Sequence, residues 1–283
     1  MSIWVYGEKS RESAHFNWFD KLCAFCEGPL LDLEADIVGG KSSFRSVAEV
    51  SVCNQCGWWI AHKSSSYTLG AHRVQRTMMY GAAASLRELD LTDISLPIDE
   101  VRDYLTARFE KRMLINPRTL EETVGSIFRD LGWGVKVTAY SGDDGIDAFL
   151  EKDGQTIGVQ VKRYGSNIEV EQIRSLAGAL LLKGLTKGIF VTTSSFQRGA
   201  QATVDRLAIK GYAIELMNSD RLFDALRIAQ RKRYRSGRDF PRKLLDDLPL
   251  ISGYSIDPYY RTMRRLDPKA WKWSKIRRPK HGF

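Results

Sequence analysis

Between residues 115 and 235 the apolar positions alternate between two periods, 3.6 and 2. In "INPRTLEETVGSIFRDLGWG", Leu120, Val124, Ile127, Phe128 and Leu131 fall on one helical stripe. Asn116 suits the cap and Pro117 the first helical position, while Gly132 and Gly134 stop the helix. "VKVTAY" then alternates as a strand. "GIDAFL" and "TIGVQVKRY" read as two more, folded together at "EKDG". "VEQIRSLAGALLLKG" is helical, and "GIFVTTS" is an apolar run suited to a buried parallel strand. A helix "QRGAQATVDRLAIKG", a strand "YAIELMN" and a helix "DRLFDALRIAQRKR" follow. The expected order is α-β-β-β-α-β-α-β-α, an α/β unit whose mixed sheet is flanked by helices.

Upstream the pattern is weaker. "PIDEVRDYLTARFEKRML" reads as a helix with Val101, Leu105 and Phe109 on one face, and "AHRVQRTMMYGAAASLRELDLTDISL" fits either strand or helix. Four parts are expected: a small module over 1–68, a connector over 69–115, the α/β domain over 116–232, and an extension over 233–283.

The cysteines explain the first part. All four fall in two CxxC pairs, "CAFC" with Cys23 and Cys26 and "CNQC" with Cys53 and Cys56. Paired thiols suit tetrahedral Zn²⁺, and a buried four-thiolate site supplies folding energy to a small module. The 26 residues between the pairs leave the type of zinc fold open. Two disulfides are the competing reading, and a cytoplasmic chain disfavours them. His15 and His62 flank the cluster, but four thiolates complete the shell. Trp58 and Trp59 serve either as a contact patch or, the favoured reading, as the core of the module. The module either staples the fold or contacts DNA or a protein partner.

Of the 283 residues, 43% are hydrophobic, enough for a sizeable core. No apolar run approaches the roughly 20 residues of a membrane helix, and the first residues lack the apolar stretch of a secretion signal. A cytoplasmic, membrane-free protein is expected. The net charge of +9 is uneven. From Arg231 to Phe283 there are 16 Lys/Arg against 5 Asp/Glu, or +11, which leaves −2 for the first 230 residues. A basic, aromatic tail on a nearly neutral body points to a polyanion such as nucleic acid, the alternative being a solvated tail.

Chemistry concentrates in "SGDDGIDAFLEKDGQTIGVQVKRY". Side chains alternate across a strand, so Val159 and Val161 share one face while Gln160 and Lys162 share the other. The valines are expected against a helix, and the opposite face as a polar cleft, because a buried unpaired lysine is costly. The "EKDG" turn brings Asp147 back beside Gln160, and Gly142 and Gly145 permit close approach. On the first helix, Glu121 lies at the edge of the apolar stripe and Glu122 points to solvent. Glu121 is therefore expected to join Asp147, Gln160 and Lys162 in one cleft. Hard oxygen donors suit Mg²⁺ or Mn²⁺ bridging to phosphate, with Lys162 stabilising added charge or orienting water. "GGKSS" at Gly39 lacks the context of a phosphate-binding loop. Ser194 and Gln197 are expected at the cleft mouth.

Asp147, Gln160-Val161-Lys162 and the helix opening "PRTLEE" resemble the PD-(D/E)XK nuclease superfamily. With "SGDDGID", "VQVKRY" and "KGIFVTTSSF", they resemble its Mrr-type restriction endonucleases, with their D…QxK signature, over about residues 115–230. The resemblance implies a restriction-endonuclease-like αβββαβ mixed sheet flanked by helices, beside the N-terminal zinc module. It implies a Mg²⁺-dependent deoxyribonuclease that cleaves by direct water attack. Asp147 would be the main magnesium ligand, Gln160 a ligand where the superfamily usually has Glu, Lys162 the catalytic lysine, and Glu121 the helix acid acting through water. Gln160 brings no charge, so metal affinity should be weaker unless Glu121 compensates. Ile146 replaces the proline of the superfamily name, as is common in this branch.

Double-stranded DNA is the expected partner and restriction or anti-phage defence the expected role. Cutting both strands ordinarily takes two active sites, which is compatible with a homodimer. The alternatives are a degenerate nuclease fold that only binds DNA, and a structure-selective repair or junction nuclease.

Overall fold

The computed structural model describes residues 3–5, 21–33, 36–41, 44–69, 74–138, 145–238, 252–257 and 262–266. Two units are present: Met1–Arg87 with Ser236–Phe283, and Glu88–Arg235.

The first unit is a sheet protein. Its early strands are β1 (Trp4–Val5), β2 (Leu30–Asp32), β3 (Asp36–Lys41), β4 (Phe44–Cys53), β5 (Trp59–Leu69), β6 (Val74–Ala83) and β7 (Ser85–Leu86). β4, β5 and β6 form a long antiparallel meander, and β2 and β3 both pair with β4. The ambiguous segment after residue 70 is thus a strand over Val74–Ala83.

The second unit opens with α1 (Ile98–Ala107), a 3-10 helix over Phe109–Leu114 and α2 (Pro117–Asp130). β8 (Gly134–Val137), β9 (Ala148–Lys152) and β10 (Gln155–Lys162) follow as an antiparallel meander. Then come α3 (Val170–Leu182), β11 (Lys187–Thr192), α4 (Gly199–Ile209), β12 (Ala213–Met217) and α5 (Ser219–Arg233). The sheet runs β12-β11-β10-β9-β8, with β10, β11 and β12 parallel. From Pro117 onward this is the order expected from the sequence.

Past the second unit, β13 (Ser252–Asp257) and β14 (Thr262–Leu266) return to the first. β13 pairs with β6 and β14 with β13, so both belong to the sheet of the first unit. The grouping therefore differs from the four parts read from the sequence. The connector is split between the units, and the C-terminal extension contributes strands. Main-chain pairing between segments roughly 175 residues apart leaves no local signature in the pattern.

Local chemistry fixes the parts that frame the site. Asn116 Oδ1 accepts from Arg118 N at 2.9 Å, capping α2 above Pro117. Asp153 and Gly154 both take positive φ, 49° and 73°, as a two-residue hairpin turn requires. That turn sets the register Gln155 to Lys152, which carries through to Val159 opposite Ala148.

Register also assigns the faces. A Cβ on Gly125 of α2 would meet Val135 and Val137 of β8. Those valines pair with Leu150 and Ala148, and Ala148 pairs with Val159. Val159 and, by alternation, Val161 therefore face α2. The other face carries α3: Leu180 is buried over Gly158 and Gly188, neighbours across β10 and β11. Ile146, Leu176, Leu180, Phe190 and Val204 form the core on this side. Among the described residues no helix is long and apolar enough to cross a membrane.

The two glycines predict a packing effect. A Cβ at either Gly158 or Gly188 would stand 2.7 Å from a methyl of Leu180. Gly158→Ala or Gly188→Ala should lower unfolding free energy by about 1–3 kcal/mol in urea melts. Adding Leu180→Ala to either should not deepen the loss by the full cost of a buried leucine, because the two changes share one space.

Candidate functional site

The β9–β10 hairpin stops pairing at Asp147. Its N–H donates to the Val159 carbonyl at 2.8 Å, and its carboxylate Oδ2 accepts the Val161 N–H at 2.6 Å. The side chain thus takes over the edge of β10 after β9 has diverged. Asp147 is 6% exposed, and the bond from the backbone N–H offsets part of the desolvation of its carboxyl group. On the other edge Thr138 anchors the same residue: its N–H and hydroxyl reach the Asp147 carbonyl at 2.9 and 3.0 Å.

Gln160 is 5% exposed, on the α3 face of β10. Its Oε1 is buried with no hydrogen-bond partner among the described residues, and an amide oxygen left so costs about 1–3 kcal/mol. A Cβ on Gly145 would lie 3.3 Å from Gln160 Nε2, so a larger residue there would crowd the amide; φ at Gly145 is +84°. Gly142 lies outside the described residues. Lys162, half-buried at the end of β10, has no ion-pair partner among the described residues. It aligns with Thr192 of β11.

The face opposite the valines is not the open polar cleft expected from alternation. α3 packs on it, and only its end, beyond the antiparallel pairing, is polar. Glu121 comes from α2, which covers the other face. It is held by Arg118, whose Nη1 lies 3.1 Å from Glu121 Oε2 and 2.7 Å from the Thr138 carbonyl. Arg118 Nε also reaches Glu122 Oε1 at 3.1 Å, so Glu122 is half-exposed but tethered rather than free in solvent. The structure therefore brings Asp147, Gln160 and Lys162 to one strand end. It links Glu121 to them around the sheet edge, through Arg118 and Thr138. Arg118 was missed in the sequence, although its spacing to Glu121 and Glu122, three and four residues, is that of a helical ion pair.

Ser194 donates to the Ser166 carbonyl at 2.8 Å, joining the loops after β10 and β11. Gln197 is exposed beside them.

The Asp147 carboxylate, bonded at Val161, and the Gln160 amide oxygen one residue earlier on β10, without a partner among the described residues, are hard oxygen donors of the kind that Mg²⁺ or Mn²⁺ takes. Asp147 and Gln160 thus fit such an ion.

The second cluster lies in the first unit. The Sγ atoms of Cys23, Cys26, Cys53 and Cys56 all fall within 4.8 Å of one another. The nearest approaches, Cys23 to Cys56 and Cys26 to Cys53, are 3.5 Å, well beyond a disulfide bond of about 2.05 Å. Each pair sits on the same turn. Cys23 N donates to the Gly28 carbonyl and Cys53 N to that of Trp58. Glu27 N and Gly57 N return to the carbonyls of Cys23 and Cys53. The thiols perturb one another strongly. Shared hydrogen bonds with its neighbours raise Cys23 and lower Cys26 and Cys53, while burial raises Cys56. Four such groups cannot all ionise together without a cation among them. Trp58 and Trp59 are buried as module core. His15 and the side chain of His62 lie outside the described residues.

Residues 113–226 match the family model described as restriction endonuclease. The type IV methyl-directed restriction enzyme EcoKMrr of Escherichia coli is 26% identical over 113 residues, covering 37% of each chain. Uncharacterized protein y4cE of Sinorhizobium fredii is 26% identical over 154 residues, covering 48% of this chain and 39% of that one. The matches thus span less than two-fifths of these relatives' own length. Among solved structures, the modification-dependent restriction endonuclease AspBHI overlaps 52% of this chain and 42% of its own, with 20% identity and a TM-score of 0.35. MspJI, in complex with a 27-mer oligonucleotide, overlaps 52% of this chain and 36% of its own, with 22% identity and a TM-score of 0.31.

The paired turns predict opposite responses at equivalent positions. Glu27 and Gly57 both take positive φ, 56° and 81°. Glu27→Gly should stabilise the first unit and Gly57→Ala destabilise it, each by about 1 kcal/mol in thermal melts.

Proposed function

We propose that this chain, whose residues 113–226 match the restriction endonuclease family, hydrolyses phosphodiester bonds of double-stranded DNA in restriction or anti-phage defence. The observation that carries the reading is the buried carboxylate of Asp147 bonded to the Val161 N–H, with Gln160, whose Oε1 has no partner among the described residues, and Lys162 on either side of Val161 in the same strand.

Asp147 and Gln160 would hold Mg²⁺ or Mn²⁺, with Glu121 contributing from the helix through water. Such an ion, when bound, supplies positive charge at the phosphate and makes a bound water more acidic. The chain's own groups do the rest. Asp147 stays rigid because its carboxylate and its carbonyl are both tied to neighbouring strands. Gln160 supplies an acceptor without charge, so the site binds its ion less tightly than a two-carboxylate pair. Lys162 places a cation where negative charge grows on the phosphate as water attacks, or orients that water. One P–O bond forms and another breaks at phosphorus, with no covalent intermediate on the protein.

The four cysteines would hold Zn²⁺ as thiolates, stapling the first unit or presenting it to DNA or a protein partner. The +11 charge of residues 231–283 supports attraction to DNA, though much of that segment lies outside the described residues. This function fits a cytoplasmic protein, and two-strand cutting fits a homodimer.

Plasmid DNA incubated with Mg²⁺ or Mn²⁺ should be nicked or linearised. Asp147→Ala and Lys162→Ala should each slow cleavage by roughly 100-fold or more. Cleavage that survives both removes the assignment of this site. DNA binding without cleavage or metal uptake would favour a degenerate nuclease fold. Separately, the purified chain should carry one zinc, lost in Cys53→Ser; a metal-free protein with two disulfides would contradict the thiolate site.

A further inference from the structure

Arg118 stands outside the carboxylate–amide–lysine set, yet it touches both routes into it. Its guanidinium contacts Glu121, Glu122 and the main-chain carbonyl of Thr138 together. The third contact is the informative one. An ordinary ion pair between neighbouring turns of a helix joins side chains on that helix only. Here, however, the shortest bond, 2.7 Å, reaches a carbonyl 20 residues away on the far side of a strand. Thr138 is the residue whose N–H and hydroxyl hold the Asp147 carbonyl, and its hydroxyl also reaches the Ile146 carbonyl at 3.0 Å. One cation thus ties the helix carboxylate and the Asp147 segment to a common point. Arg118 and Glu121 are both mostly buried, their side chains 24% and 20% exposed, so the link is only partly screened by water.

We propose that Arg118 is a positioning residue of the metal site: it fixes the spacing between Glu121 and Asp147 and so sets how tightly the site holds its ion. The inference rests on the metal-site reading above. Arg118 touches neither the ion nor the DNA. It acts by orienting the groups that do, and partners of this kind typically change metal affinity 10- to 100-fold when removed. The planar fork matters, because Arg118 serves Glu122 from Nε and Glu121 and Thr138 from Nη1, whereas a lysine's donors all sit on one nitrogen. A site whose second strand ligand is a neutral Gln160 depends more on Glu121 being in place.

The experiment is a Mn²⁺ titration of the full-length protein by calorimetry, with no DNA present, on wild type, Arg118→Met, Arg118→Lys, Glu122→Gln and Asp147→Ala. Thermal melts of each variant accompany it. Arg118→Met should weaken Mn²⁺ binding about tenfold. Arg118→Lys should recover only part of the loss, and Glu122→Gln should bind as wild type. Asp147→Ala should abolish binding at this site. If Arg118→Met, folded by its melt, binds Mn²⁺ as tightly as wild type or more tightly, the positioning role is overturned. Tighter binding would mean that Arg118 competes with the ion for Glu121. If Asp147→Ala leaves Mn²⁺ binding unchanged, the metal site itself fails, whatever Arg118 does. If Arg118→Met does not fold, Arg118→Lys decides: full wild-type affinity there also overturns the proposal.

Discussion

The second unit is organised by the point at which β9 and β10 stop pairing. A tight turn with two positive-φ residues fixes their register, and the ladder runs from Gln155 to Val159. Beyond it the backbone of β10 would present an unsatisfied N–H inside the protein. The Asp147 carboxylate fills that gap at Val161. The same bond that completes the sheet therefore fixes the Asp147 carboxyl group at the strand segment that carries Gln160 and Lys162. Loss of the side chain would leave the buried Val161 N–H without this acceptor.

The second constraint is the division of the sheet into two covered faces. α2 lies over the valine side, and α3 over the side of Gln160. Asp147 and Gln160 are buried and Lys162 is half-buried near the carboxyl end of β10, on the side where ligands usually bind in open α/β sheets. Glu121 must approach from the α2 side around the edge, and Arg118 with Thr138 spans the distance. In the first unit the cysteine cluster has a similar economy. Two turns of the same form, each with a positive-φ residue directly after its second cysteine, bring four thiols within 4.8 Å.

Much of this was legible in the chain. The order of elements from Pro117 to Arg233 followed from periodicity, and the hairpin from "EKDG". That hairpin also brought Asp147 beside Gln160, and strand alternation put Gln160 and Lys162 on one face. The polar cleft did not follow correctly, because alternation separates two faces without telling which helix covers which. Only the cross-strand register from Gly125 through Val137, Ala148 and Val159 decides that. Arg118 was hidden by its third partner, since a carbonyl brought near by a sheet edge leaves no trace in local spacing. β13 and β14 were hidden for the same reason, their partner β6 being distant in sequence.

The proposed site holds one divalent ion between Asp147 and Gln160. Fe²⁺ substituted into the site, with ascorbate and peroxide, cuts the polypeptide backbone close to where the ion sits. Fragment masses should place the scissions next to residues 147 and 160, and excess Mg²⁺ should suppress them. Scission spread over the chain, or confined to another segment and indifferent to Mg²⁺, would contradict the account.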